Sequence, residues 1–454
     1  MSVSLASPTI PTNRAILNLA WPLTLKAMML HGIVVIDAWL VSALGEPALA
    51  AMGLAASFGA LLLGVLAAFA NATQIRVAQA FGTGDPVNLK TAFVAGMIIS
   101  LVVALIGLVI VWALAGTFID HFAHTPWIAG EARSYLSVFL WVVTLEAVGQ
   151  CMGSYFNGCG KTKAPFLSYL VAIPINVGIS YALIHGHFGL PEMGVTGAAV
   201  GSAVGALARV LFLAVGFLGM TGGFRNVAGW RNTTLQASIR RHLAFSLPIA
   251  GTFVSNTVAN YVSTLLFVKM TVNDFAAMTL IQPWVMVAGT FSISWAMATG
   301  IAVAQLLGRD CRGPELDTFL RRAWRGALIA AGIVALAFFG IILASGTLYG
   351  NLEAGTRAAL LSFLPFLLIL PFPKGSNAMC GHTLRAGGDT LYVMNIFLAA
   401  QWLFRVPLTA LFILYLDLSV TWVFALFLAE ELVKFPSFHL RLLKGEWKRG
   451  LADD

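Results

Sequence analysis

Residues 75–82, Ile75-Arg76-Val77-Ala78-Gln79-Ala80-Phe81-Gly82, return 226 positions later as Ile301-Ala302-Val303-Ala304-Gln305-Leu306-Leu307-Gly308. The same offset of 226 carries Pro22 of Leu19-Ala20-Trp21-Pro22 to Pro248 of Phe245-Ser246-Leu247-Pro248, and Ala50-Ala51-Met52 to Ala276-Ala277-Met278. Further along, Gly160-Lys161-Thr162 faces Gly388-Asp389-Thr390 at 228, and Val195-Thr196 faces Val420-Thr421 at 225. An offset this constant across half a chain marks an internal duplication.

The duplicated unit is apolar. The chain has 454 residues, 59% hydrophobic and 10% charged, with a mean hydropathy of +0.86. Soluble globular chains carry about 25% charged residues. The composition therefore excludes a soluble enzyme, a disordered chain and a nucleic-acid binder. Twelve apolar runs, each near the roughly 20 residues needed to cross a bilayer, begin near Ile16, Ala48, Ala92, Tyr135, Pro165, Gly194, Leu243, Phe275, Ala323, Ala358, Leu391 and Val420. They leave no room for a separate soluble domain. Six spans per repeat is an even number, so both repeats enter from the same side and are parallel. The expectation is an all-α integral membrane protein of two six-helix lobes with a central cleft. The lobes are 1–221 and 243–454, joined by a cytoplasmic linker at 222–242.

Basic residues set the orientation. Of the 27 Lys and Arg, 19 fall at the N-terminus, in loops after even-numbered spans or in the C-terminal tail, and 3 in loops after odd-numbered spans. That asymmetry places both termini in the cytoplasm, and it also accounts for the net charge of +8. The N-terminal stretch MSVSLASPTIPTNR has no basic region ahead of a cleavage site, so no removable signal peptide is expected. Cys151, Cys159, Cys311 and Cys380 show no paired or metal-binding spacing and read as reduced.

Several local patterns are more specific than composition. Leu19-Ala20-Trp21-Pro22-Leu23-Thr24-Leu25 opens the first span, with Val35-Ile36-Asp37 and Leu44-Gly45 downstream. ALAAMGLA (48–55) opens the second span and VAQAFGTGD (77–85) closes it. Arg385-Ala386-Gly387-Gly388-Asp389-Thr390 follows span ten and Gly445-Glu446-Trp447-Lys448 follows span twelve. In order and spacing these resemble the multidrug and toxic compound extrusion (MATE) family, closest to its DinF-type and bacterial branches. The resemblance covers nearly the whole chain. It implies twelve helices in two lobes and cation-coupled export of organic compounds, that is, multidrug or xenobiotic efflux.

The resemblance also assigns residues. An aspartate at the place of Asp37 carries the coupling ion, and a proline at the place of Pro22 lets the first helix bend. Asn176, in Pro174-Ile175-Asn176-Val177, matches the family asparagine of span five, and Ser202 matches a hydroxyl of span six. The archaeal and DinF-type branch has a second aspartate where Ser180 stands here. Losing that carboxylate favours H+ over Na+ as the coupling ion. Other branches carry acids in spans seven and ten, but here Asn256 stands in the place of a glutamate and span ten has no acid before Asp389. No cofactor or metal is expected.

Read from the residues alone, ionisable groups at span centres cost about 2.5–3.5 kcal/mol each on insertion scales, so they face cavities or partners. Asp37 is the leading candidate, about two-thirds of the way along span one. Lys26 lies eleven residues before it, roughly 16 Å along a helix, so the two are not expected to pair. Glu146 in span four is an extra acid, read as an ion-pair partner or a proton relay. Glu430 and Glu431 precede Lys434 by four and three residues, a spacing that lets them neutralise it on one helix face. Lys26, Glu146, Asn256, Lys374 and Arg405 are the candidates for a substrate cavity. Lys26, Arg209, Lys374 and Arg405 together are more buried base than export of a pure organic cation requires, which points to an anionic or zwitterionic solute.

The function that follows is a secondary antiporter of the bacterial inner membrane, exchanging protons or sodium for a drug or metabolite by alternating access. It would act as a monomer, with a small organic substrate and the lipid bilayer as its partners. The alternative is a lipid-linked oligosaccharide or polysaccharide flippase of the same superfamily, whose members often carry extra or less symmetric spans. No H-E-x-x-H, nucleophile elbow or closely spaced carboxylate pair supports an enzyme.

Overall fold

The computed structural model describes residues 10–223, 234–348, 350 and 352–449. Residues 224–233 of the expected linker lie outside these, and the linker's last part is already helical, because α7 begins at Thr234. The described chain is all-helical, with no strand among the described residues. In order it comprises α1 (Asn13–Ser42), α2 (Glu46–Thr83), α3 (Pro86–Phe122), α4 (Pro126–Gly158), α5 (Lys163–His185), α6 (Gly194–Thr221), α7 (Thr234–Phe267), α8 (Val272–Gly308), α9 (Pro314–Leu348), α10 (Ala354–Ser362), α11 (Leu364–Ile369), α12 (Pro371–Ala386), α13 (Thr390–Leu398), α14 (Val406–Leu414) and α15 (Val420–Lys444). Taking α10–α12 as one broken rod, and α13–α14 with the π-helix Ala399–Arg405 between them as another, gives twelve helical segments.

Local chemistry starts and stops these helices. Asp85 caps α3 by accepting a hydrogen bond from the Val87 amide at 2.9 Å, with Pro86 at the first helical position. Thr125 does the same for α4 ahead of Pro126. α2 ends on Gly84, whose φ of 73° lies in the left-handed region that glycine adopts without strain.

Among the described residues, nine helices are long and apolar enough to cross a membrane, or ten if the pair broken at Leu370 counts as one span. Neither α7 nor α15 qualifies. α7 carries Ser255, Asn256 and Asn260, and α15 carries Glu430, Glu431 and Lys434, so polar side chains dilute their hydropathy. Outward faces elsewhere are apolar. α3 exposes Leu105, Ile106, Val109, Ile110 and Trp112, as expected for a surface solvated by lipid.

The chain divides into two compact units, one formed by 25–247 and the other by 1–24 with 248–454. Both divisions fall beside repeat-equivalent prolines, Pro22 and Pro248. The first unit has its core around Leu62, Leu66, Ile119, Tyr135 and Val143. The second is centred on Met278, Phe338, Phe363, Leu367 and Phe424. The duplication recurs inside each unit as packing. In the first, α2 meets α4 where Asn157 donates to Gln74 at 2.9 Å. In the second, α8 meets α12 where Gly300 lies against the His382 backbone, at positions 226 and 225 further on. All four cysteines are buried and free.

One contact in the first unit needs glycine. α6 packs on α5 through Gly197, Gly201 and Gly205, spaced one per turn. A Cβ at Gly201 would come within 2.0 Å of Ser180 Oγ and 2.9 Å of the Asn176 carbonyl, and one at Gly205 within 2.9 Å of Asn176 Cβ. Such small-residue ridges let helix backbones approach closely in lipid. Gly201→Ala is therefore expected to cost about 1–3 kcal/mol by overpacking. In detergent melts it should unfold well below wild type, whereas Gly178→Ala, on α5 with nothing near its Cβ, should melt like wild type.

Candidate functional site

The close approach of α5 and α6 brings three predicted residues into one chain of hydrogen bonds. Asn176 Nδ2 donates to Ser202 Oγ at 2.9 Å, and Ser202 Oγ donates to Asp37 Oδ2 at 3.0 Å. Asp37 is 7% exposed. Its second oxygen, Oδ1, is buried and has no hydrogen-bond partner among the described residues. Asp37 also makes no ion pair among them, and Lys26 does not reach it. Tyr135 of α4 lies within electrostatic reach of the carboxylate. The aspartate thus rests on a hydroxyl and, behind that, an amide. Neither neighbour carries a charge that would fix its protonation state.

Ser180 does not join this chain. It is fully buried and faces the α6 backbone, with its Oγ 3.5 Å from the Ala198 carbonyl. The described residues contain no group of three or more His, Cys, Asp or Glu that would hold a metal ion. Pro22 lies within α1, fifteen residues before Asp37 and two before the end of the short N-terminal segment that belongs to the other unit.

A second buried cluster in the same unit surrounds Glu146. Arg209 Nη2 pairs with Glu146 Oε2 at 3.0 Å, and Gln150 Nε2 donates to the same oxygen at 3.3 Å. The guanidinium lies over the Tyr169 ring, 4.7 Å from its centre, and also donates to the Tyr169 hydroxyl. Gly149 leaves room for it, since a Cβ there would sit 2.2 Å from Nη2. Lys26 is within electrostatic reach of both members of the pair. Glu146 is therefore held by an arginine two spans further along the chain, a partner its position in the sequence did not reveal.

The remaining candidates lie in the other unit. Glu430 accepts Lys434 Nζ on Oε1 and is ion-paired through Oε2 with Arg405 Nε, both at 3.2 Å. Glu431 accepts Lys434 Nζ on Oε1 and Asn377 Nδ2 on Oε2, both at 2.8 Å. Arg405 also donates to Asn260 Oδ1 at 2.9 Å. Asn256 is linked instead to Gln401, whose Nε2 donates to it at 3.1 Å while its Oε1 accepts from Ser255 at 2.7 Å. Gln401 and Arg405 both belong to the π-helix Ala399–Arg405, a rare winding that often marks functional segments. Lys374 is within electrostatic reach of Glu430, Glu431, Lys434 and Arg405 but forms no ion pair with either carboxylate. The sequence had matched Glu430 and Glu431 to Lys434. It had not indicated Asn377, Gln401 or the Arg405–Glu430 pair, because these contacts join helices whose register a single sequence does not set.

Removing one partner of a buried ion pair strands the other charge and costs about 3–5 kcal/mol. Glu146→Ala is accordingly expected to lower the melting temperature sharply, and Glu146→Ala with Arg209→Met to recover most of that loss. A single variant as stable as wild type would show that the pair contributes nothing to folding.

The fold, though not the site's contacts, has counterparts among known proteins. The MatE family model matches residues 22–182 and 248–411, one segment in each repeat. A crystal structure of a MATE transporter in a bent conformation superposes with a TM-score of 0.84 at 17% identity, covering 96% of both chains. An outward-facing multidrug resistance MATE family transporter of the MOP superfamily superposes at 0.82 and 17%, covering 95% of this chain and 96% of that one. The MATE transporter ClbM in complex with rubidium superposes at 0.80 and 20%, covering 96% of both.

Proposed function

Because the chain belongs to the MatE family, whose members are membrane transporters and not enzymes, we propose that it is a proton-coupled exporter of small organic compounds with Asp37 as its coupling group. The observation that carries the reading is the isolation of Asp37. It is a buried carboxylate with one free oxygen and no countercharge among the described residues. Every other buried acid described above is committed to an arginine or lysine.

The proposed cycle uses that isolation. When ionised, Asp37 accepts the Ser202 hydroxyl on Oδ2 and leaves Oδ1 for a proton or for a solute. When protonated, it loses its charge and its pull on Ser202, so the hydrogen-bonded chain through Asn176 relaxes. Proton and solute must each favour a different conformation, because a ligand shifts an equilibrium only by its differential affinity for the two states. The conformational element is α1, bending at Pro22 beside the unit boundary, and the moving bodies are the two lobes. A site of one carboxylate with neutral amide and hydroxyl neighbours supports H+ over Na+, since a sodium ion needs several oxygen ligands around it. One charge crossing 100 mV releases about 2.3 kcal/mol, which sustains roughly a fiftyfold gradient at about 1.4 kcal/mol per tenfold. The 19-to-3 distribution of basic residues supports a bacterial inner membrane location with both termini cytoplasmic. Each chain would work as a monomer.

Asp37→Asn is expected to abolish export driven by an imposed pH gradient in proteoliposomes while the protein inserts and melts as wild type does. Ser202→Ala is expected to retain coupling at a reduced rate. Efflux of Asp37→Asn that still follows the proton gradient at wild-type rate would defeat the assignment.

A further inference from the structure

Two helices, α1 and α7, each divide between the two units. The first part of α1, up to Thr24, belongs with the residues from Pro248 onward, and the first part of α7, up to Leu247, belongs with those from Leu25 onward. Each of these first parts buries a side chain at repeat-equivalent positions 226 apart: Ile16, 1% exposed, and His242, 0% exposed. An apolar residue thus fills the place in α1, and a titratable one fills it in α7.

His242 occupies a notch between α2 and α3, just ahead of the apolar run that begins at Leu243. Its Nε2 lies 3.1 Å from Thr73 Oγ1. The Thr73 hydroxyl gives its own proton to the Phe69 carbonyl at 3.1 Å, so His242 Nε2 is the donor and Nδ1 carries the lone pair. That Nδ1 is buried and has no hydrogen-bond partner among the described residues. Gly96 of α3 keeps the notch open, since a Cβ there would come within 2.4 Å of Thr73 and 3.0 Å of the imidazole. Cys151 of α4 is within hydrogen-bonding reach of Thr73. The charged groups at the notch are both cationic. Arg76, one turn after Thr73 on α2, is within electrostatic reach of the ring, and Arg241, beside His242 on α7, is within reach of Arg76. Among the described residues no carboxylate pairs with the imidazole. The notch therefore suits only the neutral ring. A proton on Nδ1 would place a charge out of water beside a guanidinium, with its new N–H unpaired.

We propose that His242 is a pH-controlled latch that holds the first part of α7 in its unit. The neutral ring docks. In the released segment the ring meets water, and Nδ1 takes up a proton with the ordinary histidine pKa of about 6.5. Docking depresses that proton affinity, so the latch is at full strength above about pH 6.5 and weakens by about tenfold for each pH unit below it. The proton comes from the compartment that bathes this end of α7, the cytoplasm on the orientation proposed above. It is distinct from any proton on Asp37. The latch goes beyond the exporter reading and does not rest on it. Ile16 carries no such response, so only one of the two repeat-equivalent segments answers to pH.

The test uses Ser238, one turn before His242 and buried, as the reporter of release. Full-length Ser238→Cys protein in nanodiscs is treated with a maleimide, and modification at residue 238 is read by peptide mass, which separates it from the four buried native cysteines. Dividing its rate by that of Gln236→Cys, an exposed position in the same segment, removes the pH dependence of the thiol itself. With His242 in place, the ratio is expected to rise about tenfold between pH 7.5 and 5.5. His242→Ile, which installs the residue of the equivalent position, and His242→Gln, which keeps a donor for Thr73 but cannot take a charge, are each expected to hold the ratio flat. Asp37→Asn is expected to keep the full rise. A flat ratio with His242 in place, the same rise in either His242 variant, or loss of the rise in Asp37→Asn would overturn the latch. Failure of proton-coupled export in the same protein would leave it standing.

Discussion

Taking an ionised side chain out of water into hydrocarbon costs several kcal/mol unless a partner compensates it. This constraint sorts the buried charges into two kinds. Glu146 with Arg209, and Glu430 and Glu431 with Arg405 and Lys434, are compensated at 2.8–3.2 Å. They tie helices distant in sequence to one another. Asp37, Lys26 and Lys374 form no ion pair of their own among the described residues. A charge without a partner in such surroundings persists only where something else, a proton or a ligand, can take the partner's place. On the proposed function Asp37 is the acid kept for exchange, while Glu146, Glu430 and Glu431 are committed to ion pairs.

How Asp37 is kept free depends on backbone packing more than on its own helix. Gly197, Gly201 and Gly205 let α6 lie against α5 so closely that Ser180 is sealed between them and Asn176 and Ser202 are held at hydrogen-bonding distance. The pair then presents a single hydroxyl to α1. Had Ser202 been a lysine, the aspartate would be locked in its ionised form, and with an apolar residue there it would have no donor to favour ionisation. A hydroxyl is weak enough that gaining or losing a proton decides whether the contact holds. This is what the proposed proton switch requires, since each ligand shifts the balance only by its differential affinity for the two states.

Much of this was legible in the sequence, for identifiable reasons. The 226-residue offset exposed the duplication, because packing residues such as Gln79 and Gln305 recur in register. Asp37 stood out because a lone acid in an apolar run is improbable unless it has a task. The match of Glu430 and Glu431 to Lys434 followed from helical spacing alone. Contacts between helices did not follow. Nothing near Glu146 in the sequence names Arg209 or Tyr169 as its partner, and nothing near Arg405 names Glu430. The π-helix that presents Gln401 and Arg405 to α7 is equally hidden, since Ala399–Arg405 reads as ordinary helix. Ser180, placed with the site by resemblance, serves the α5–α6 interface instead of touching the carboxylate.

Duplication followed by divergence accounts for the asymmetry between the repeats. Arg209 and Lys434 occupy equivalent positions, 225 apart, and Glu146 corresponds to Lys374 at the offset of 228 that relates Gly160 to Gly388. In the first repeat the pair at these positions is acid with base and closes on itself. In the second, both positions are basic, and two acids from the turn before Lys434 supply the missing charge. They satisfy Lys434 and Arg405 but leave Lys374 over. The first repeat thus meets its buried base with one acid and the second meets its bases with two, so the duplicated positions keep a cluster of buried charge in each unit while its signs have been exchanged.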